Sequence, residues 1–216
     1  MKKLIAYDLD GTLVDTREDI ILAANYMLTS MGRSPISGEA IKSYVGRGLH
    51  DLVKSCLQAT DEKEVEKGAK IYRRYYGEHM MDHTCLYPGA KETLEHFKGR
   101  CQMVVTNKPS PFSEQMLEAL GVAGFLSVIL TGSSDHPPKP DPTGLLRVLE
   151  KEKVSPSDAL LVGDSEVDLE TGRRAGMETV LIAHGFVSRD ALESRKPEWL
   201  VGSFEEFLAL AREQSW

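Results

Sequence analysis

Residues 4–12 read Leu4-Ile5-Ala6-Tyr7-Asp8-Leu9-Asp10-Gly11-Thr12, a short apolar run that leads two carboxylates into a glycine turn. Such a run before a turn signal is typical of a buried strand, and open α/β sheets bind ligands just beyond the carboxyl ends of their strands. Side chains two residues apart on an extended backbone point to the same side, so Asp8 and Asp10 could address one bound group. Gly11 permits a tight turn with close backbone approach. The alternative is an ordinary solvated Asp-Gly turn.

Composition limits the kind of protein. With 216 residues, 41% hydrophobic and 27% charged, the chain suits a medium-sized globular domain or a core with a smaller inserted module. A net charge of -7 without a basic cluster argues against a nucleic-acid partner. The chain shows no long apolar signal region and no membrane-spanning run, so we expect a cytoplasmic protein that does not associate with membranes. Cys56, Cys85 and Cys101 have neither metal-ligand nor disulfide-framework spacing.

Two regions of different periodicity follow the opening strand. From about residue 15 to residue 83 the apolar residues recur at helical spacing, which predicts helices over 20–31, 37–44, from Leu49, and after Asp61. After Pro88-Gly89 strand and helix patterns alternate, with strands predicted over 102–105, 128–130, 159–162 and 179–183. This alternation predicts an α/β fold with a parallel sheet.

Polar residues collect where the predicted strands end. They are Asp8, Asp10, Thr106, Lys139, Asp164 and Asp168. Each alone has an ordinary explanation as a turn residue, a helix cap or a solvated side chain. Their joint occurrence at the carboxyl ends of parallel strands favours one shared site.

The chemistry of this set favours phosphoryl transfer. Several carboxylates at one point repel each other without a cation, and an oxygen ligand set suits Mg²⁺. A carboxylate is a competent nucleophile toward phosphorus. Mg²⁺ and Lys139 would nearly balance the charge of a phosphate dianion with ionised Asp8 and Asp164.

Four ordered motifs carry a family resemblance. Asp8-Leu9-Asp10-Gly11-Thr12, Thr106-Asn107, Lys139-Pro140 and Gly163-Asp164-Ser165-Glu166-Val167-Asp168 resemble the motifs of the haloacid dehalogenase superfamily, in its phosphatase branch. The resemblance spans nearly the whole chain. It implies a Rossmann-like parallel-sheet core over 1–15 and 84–216 with an inserted all-helical cap over 16–83.

The resemblance also implies roles for single residues. Asp8 would be the nucleophile, Asp10 the general acid and then the base, kept protonated by its acidic neighbours. Thr106 and Lys139 would hold the phosphoryl oxygens. The implied Mg²⁺ ligands are Asp8, Asp10, Asp164 and Asp168, and the implied substrate-binding residues include Gly11, Thr12 and Asn107. Retention of Asp10 favours a phosphate ester, because a departing halide needs no proton.

The substrate is suggested by the segment around Arg47, which lies between two glycines. Arg47 could bind the anionic end of a small substrate as a bidentate fork, or it could be an exposed side chain in a helix-ending turn. Residues 41–53, 86–90 and 106–109 resemble phosphoglycolate phosphatases, which implies hydrolysis of 2-phosphoglycolate to glycolate and phosphate. Lys108 and Ser165 are secondary candidates: Lys108 follows the Thr106 turn and could add positive charge to the site, although we favour a solvated side chain. We interpret the tyrosines at 72, 75 and 76 as helix packing and His184 as a polar residue at the rim of the site.

Other functions stay open at this point. The same core could serve a pyrophosphatase, a sugar-phosphate phosphatase or a phosphomutase, and the last would release almost no inorganic phosphate. A signalling module would keep a long-lived acyl phosphate, and a silent binding protein would not turn over. We expect a small phosphorylated metabolite as the partner and a monomer or homodimer as the assembly.

Overall fold

A six-stranded parallel sheet, in the order β5-β4-β1-β6-β7-β8, forms the centre of the computed structural model, which describes residues 1–216. A second sheet pairs β2 with β3 in antiparallel orientation. The strands are β1 Leu4–Tyr7, β2 Val14–Asp15, β3 Cys85–Leu86, β4 Cys101–Val105, β5 Val128–Leu130, β6 Ala159–Gly163, β7 Glu178–Ile182 and β8 Trp199–Val201. The helices are α1 Arg17–Ser30, α2 Gly38–Lys42, α3 Leu49–Leu57, α4 Glu62–His79, α5 Ala90–His96, α6 Phe112–Ala119, α7 Thr143–Glu152, α8 Glu166–Ala175, α9 Arg189–Ser194 and α10 Phe204–Glu213.

The central strand β1 is buried on both sides, as its unbroken apolar run predicts. Ile5 and Tyr7 belong to a hydrophobic cluster of 39 buried residues, and Leu4 and Ala6 belong to a second cluster of 11. Successive side chains of a strand point to opposite faces, so the two clusters cover the two faces of the sheet. The predicted α/β class with a Rossmann-like parallel sheet is confirmed.

Helices α1 to α4 are inserted between β2 and β3, and we call residues 16–83 the helical insert. Within it, α4 packs against both α1 and α3. The side chains of Ser37 and Asp61 accept hydrogen bonds from the backbone at the starts of α2 and α4, which fixes where these helices begin. Buried residues of the insert, such as Met27 and Val53, belong to the same 39-residue cluster as the face of the sheet. The insert is thus packed on the parallel-sheet part of the chain.

Several short elements differ from the sequence prediction. Helices α5 and α9 and strand β8 were not predicted, nor was the pair β2 and β3. These elements have between two and seven residues, which is too short for an apolar period to repeat. No helix of the structure is long and apolar enough to cross a membrane.

Candidate active site

Asp8 follows the last residue of β1 and lies at the carboxyl end of the sheet. Its backbone N–H donates to the carbonyl of Val162 on the neighbouring strand β6 at 2.8 Å. Gly11 then turns the chain with a φ of +86°, and a Cβ there would lie 2.4 Å from Asp164 Oδ2. Glycine is needed at this turn because it accepts the positive φ and leaves room for the Asp164 carboxyl.

Three carboxyl groups meet beside this turn. Carboxyl oxygens of Asp8, Asp164 and Asp168 lie within 4.8 Å of one another, and all three residues are buried. Lys139 is buried with them, and its Nζ donates to Asp8 Oδ1 and to Asp168 Oδ1, each at 2.6 Å. The structure therefore brings together four of the residues that the sequence places in one site.

Burial changes the proton affinity of these acids. It raises the pKa of Asp8 to about 7, against the opposing effect of Lys139. Burial, reinforced by the charges of Asp8 and Asp168, raises the pKa of Asp164 well above its usual value. Burial also acts to lower the pKa of Lys139, but the charges of Asp168 and Asp8 outweigh it and hold that pKa above its usual value. One ammonium is too little charge for three buried carboxylates.

A divalent cation fits this imbalance. Three carboxylates within coordinating distance, with no histidine or cysteine among them, form the oxygen donor set that suits a hard ion such as Mg²⁺. The side chain of Asp10 is outside this group. The prediction that its carboxyl is a metal ligand is therefore not supported by the geometry, because that carboxyl has other partners.

Asp10 is bound by two hydrogen-bond donors on the other side of the turn. Its Oδ1 accepts from Thr16 Oγ1 at 2.8 Å and from Lys108 Nζ at 2.8 Å. The sequence predicts acidic neighbours around the Asp10 carboxyl, whereas in the structure its direct partners are a lysine ammonium and a threonine hydroxyl, both bound to Oδ1.

Lys108 is the clearest departure from the sequence interpretation, which has it solvated. Its side chain is only 5% exposed, and its Nζ also donates to the hydroxyl of Tyr76 at 2.7 Å. Tyr76, interpreted as helix packing, packs edge to face on Phe112 and also brings a hydroxyl from α4 into the site. The position of Lys108 two residues after Thr106 was the available signal, but spacing alone could not show which way the side chain points.

The segment after β4 connects the site with the helical insert. Thr106 is buried, and its Oγ1 accepts from the backbone N–H of Lys108 at 3.1 Å. The amide of Asn107 accepts from Lys139 N at 2.8 Å and donates to Lys139 O and to Gly46 O, each at 2.9 Å. Asn107 lines the cavity, but its side chain is engaged in holding the Lys139 segment. Both N–H groups of the Asn107 amide are thus used within the protein, which leaves no side-chain donor for the predicted contact with the substrate.

Thr12 and Ser165 position two of the carboxyl groups. Thr12 Oγ1 donates to Asp164 Oδ1 at 3.2 Å, and the backbone N–H of Phe186 donates to Asp164 Oδ2 at 2.7 Å. Ser165 caps α8 in a capping box: Ser165 Oγ accepts from the backbone N–H of Asp168 at 3.3 Å, and Asp168 Oδ2 accepts from the backbone N–H of Ser165 at 3.2 Å. Ser165 Oγ also donates to Asp168 Oδ2 at 2.5 Å. Neither Gly11 nor Thr12 lines the cavity. Thr12 supports Asp164 through its hydroxyl and Gly11 through the space it leaves, and their substrate contacts stay predictions.

Arg47 is placed outside the site. Its side chain is 61% exposed, and its Nη2 lies 3.6 Å from Glu166 Oε1, which belongs to α8. The segment around it does reach inward, since Val45, Gly46 and Gly48 line the cavity. The segment thus approaches the cavity as the sequence suggests, but the Arg47 side chain lies toward Glu166 and the solvent.

Asp8, Asp10, Asp164 and both lysines line one cavity between the helical insert and the sheet. Its volume is about 80 Å³, enough for roughly six water molecules. Thr106, Asn107 and Ser165 also line it, and apolar side chains from both parts of the chain complete the wall, among them Ile20, Val45, Leu49, Leu52, Phe112 and Phe186. Buried carboxyl groups and two lysines in a cavity with apolar walls suit chemistry on a small anionic molecule.

Comparison with known proteins agrees with this geometry. A family model described as haloacid dehalogenase-like hydrolase matches residues 5–182. The phosphoglycolate phosphatase of Vibrio parahaemolyticus is 34% identical, over 95% of this chain and 94% of that protein. The phosphoglycolate phosphatase of Aquifex aeolicus is 33% identical, over 96% of each. A crystal structure described as a predicted phosphoglycolate phosphatase from Haemophilus somnus superimposes with a TM-score of 0.92 at 30% identity, covering 97% of this chain and 98% of the other.

Proposed function

Because the chain belongs to the haloacid dehalogenase-like hydrolase family, we propose that it is a magnesium-dependent phosphatase that hydrolyses 2-phosphoglycolate to glycolate and phosphate. The observation that carries the proposal is the buried contact of 2.6 Å between Asp8 Oδ1 and Lys139 Nζ at the floor of the cavity, beside Asp164 and Asp168. It presents a carboxylate nucleophile together with a cation that attracts a phosphoryl group.

In the first step a carboxyl oxygen of Asp8 attacks phosphorus, and the bond from phosphorus to the ester oxygen breaks. The departing oxygen takes a proton that Asp10 has taken up from solvent on Oδ2, since Lys108 and Thr16 bind only its Oδ1. Lys139 and Thr106 hold the phosphoryl oxygens. The products of this step are the free alcohol and an aspartyl-phosphate on Asp8.

In the second step the ionised Asp10 removes a proton from water, and the resulting oxygen attacks phosphorus. The bond between phosphorus and Asp8 breaks, which releases phosphate and regenerates the carboxylate. Asp8, Asp164 and Asp168 would hold Mg²⁺, which when bound neutralises charge on the phosphoryl oxygens. In this proposal residues 16–83 form a cap that excludes water from a core made of 1–15 and 84–216.

The choice of 2-phosphoglycolate rests on the names of the relatives. The relatives from Vibrio parahaemolyticus and Aquifex aeolicus are phosphoglycolate phosphatases. A pyrophosphatase or a sugar-phosphate enzyme on the same core is the alternative that the assay below separates.

The test is release of inorganic phosphate by the purified protein with Mg²⁺. The substrates are 2-phosphoglycolate, pyrophosphate, hexose phosphates and an aryl phosphate. We expect the highest kcat/KM for 2-phosphoglycolate and a loss on the order of a thousandfold in Asp8→Asn. The control Glu39→Gln alters an acid that is exposed in the helical insert and should behave as the unaltered protein. A higher kcat/KM for pyrophosphate or a hexose phosphate would overturn the substrate, and an active Asp8→Asn variant would overturn the mechanism.

A further inference from the structure

Lys108 is a buried cation with an unassigned hydrogen-bond donor. Its Nζ donates to Asp10 Oδ1 at 2.8 Å and to the Tyr76 hydroxyl at 2.7 Å, and it lies 4.6 Å from the centre of the Tyr76 ring. An ammonium group has three N–H donors, and the protein accepts two of them. The third is available to a ligand in the cavity that Lys108 lines.

The other cations near the cavity have other tasks or partners. Lys139, the only other cation in the cavity wall, donates to Asp8 and Asp168, and in the proposed mechanism its remaining donor serves the phosphoryl group. Arg47, the cation that the sequence suggests for a second anionic group, is 61% exposed and paired with Glu166 outside the cavity. A substrate with a second negative charge therefore has Lys108 as its cationic partner.

The surroundings of Lys108 make such a contact strong. Apolar side chains such as Phe112 and Leu52 line the same cavity, and a charge-assisted hydrogen bond is stronger where water is excluded. Asp10 and Asp8 are two residues apart. Their lysine partners, Lys108 and Lys139, line the same cavity, so a short molecule with a phosphoryl group at one end and a carboxylate at the other can contact both.

We propose that Lys108, supported by the Tyr76 hydroxyl, determines specificity by binding a carboxylate on the leaving-group side of the substrate. This inference rests on the proposed function and deepens it, because it names the group that distinguishes 2-phosphoglycolate from a neutral ester of the same size.

The test compares two non-hydrolysable probes of similar size by titration calorimetry in the presence of Mg²⁺. One is 3-phosphonopropionate, which carries the carboxylate, and the other is propylphosphonate, which lacks it. We expect the unaltered protein to prefer 3-phosphonopropionate on the order of 10- to 100-fold, as one charge-assisted hydrogen bond would give. Lys108→Gln should abolish this preference, with the Kd of propylphosphonate within about threefold of its original value. Tyr76→Phe, which keeps the charge, should reduce the preference partially.

Lys2→Gln is the matched control, because Lys2 is equally buried and paired with Glu178 at the far end of β1. It should keep the preference, which separates the loss of a carboxylate contact from the general cost of removing a buried lysine. The inference would be overturned if Lys108→Gln kept the preference for 3-phosphonopropionate, or if it weakened the binding of both probes to the same extent.

Activity on 2-phosphoglycolate distinguishes this inference from the proposed function. If the unaltered protein hydrolyses 2-phosphoglycolate but binds both probes equally, the role of Lys108 is wrong and the function stands. If it prefers the carboxylate probe but does not hydrolyse 2-phosphoglycolate, the assigned substrate is wrong and the carboxylate contact stands.

Discussion

Asp8 shows how burial prepares a single residue for chemistry at a cost in stability. Burial raises its pKa from 3.8 to about 7. Between these two values the folded, metal-free protein holds a proton that the unfolded chain has lost. The free energy of unfolding therefore falls as the pH rises from about 4 to about 7. Stability decreases with rising pH wherever the folded state binds more protons than the unfolded chain.

Asp8→Asn removes this titration, so it gives a prediction at the residue scale. In the metal-free protein at pH 8, we expect the variant to have a higher Tm than the unaltered chain, and the difference should shrink as the pH approaches 4. Thermal unfolding in a chelator at several pH values measures it. A variant that is less stable than the unaltered chain at pH 8 would show that the buried charge is already fully compensated.

The sequence predicts which residues meet at the site but not where their side chains point. Asp8, Lys139, Asp164 and Asp168 come together because parallel strands bring their carboxyl ends to one edge, and that placement follows from the strand pattern. Lys108 and Arg47 follow no such rule. The direction of a long side chain depends on neighbours distant in sequence, here Tyr76 and Glu166, and no local pattern contains them.

At the scale of elements, the first turn of α8 links helix stability to the site. Ser165 Oγ accepts from the backbone N–H of Asp168 and donates to its carboxyl, whose other oxygen accepts from Lys139. We expect Ser165→Ala to lower the free energy of unfolding by about 1 kcal/mol, as loss of a helix cap does. We also expect it to lower kcat/KM several-fold, because Asp168 loses the group that orients it.

Ser203→Ala is the control for this prediction. Ser203 caps α10 by accepting from the backbone N–H of Glu206, and it lies outside the cavity. Its loss should cost a similar free energy of unfolding and leave kcat/KM unchanged. Equal effects of both substitutions on kcat/KM would mean that the cap of α8 acts on stability alone.

The segment that joins α2 to α3 gives a second prediction at this scale. The Arg47 side chain is mostly exposed and paired with Glu166 at 3.6 Å, and exposed ion pairs contribute little. We expect Arg47→Ala to change kcat/KM by less than about threefold, to the same extent for 2-phosphoglycolate and for ethyl phosphate. Kinetics on this pair of esters measures the effect. A selective loss for the ester that carries a carboxylate would restore the role suggested by the sequence.

Most elements follow from the sequence because their signals are local. Helix α1 ends at Ser30, next to the end at residue 31 that the helical spacing predicts, and β5 spans the predicted 128–130. Strand β8 and helix α9 were missed since each is short, and β8 owes its conformation to pairing with β7. This pairing forms only in the folded chain, so the three residues of β8 carry little local signal that would predict a strand.

At the scale of the whole molecule, the acidic cluster predicts coupling between metal binding and stability. A cation that binds only the folded state raises the free energy of unfolding. Once its concentration exceeds Kd, this gain grows with the logarithm of the concentration. We expect Mg²⁺ at 100 times its Kd to add about 2.7 kcal/mol to the free energy of unfolding. Thermal unfolding with increasing Mg²⁺ should therefore show a rising Tm.

Asp164→Asn should largely remove this dependence, because it takes one carboxylate from the cluster. Glu39→Gln, an exposed substitution in the helical insert, should retain it. A Tm of the unaltered protein that does not respond to Mg²⁺ would contradict a metal site formed by Asp8, Asp164 and Asp168.

The side-chain amide of Asn107 connects residues 45–48 of the helical insert with the segment that carries Lys139. Asn107 Nδ2 donates to the carbonyl of Gly46 above and to that of Lys139 below, each at 2.9 Å. Any movement of residues 45–48 away from the cavity has to break the bond to Gly46. The side chain that opposes this movement also fixes the backbone of Lys139, so access to the cavity and the position of the lysine depend on one residue.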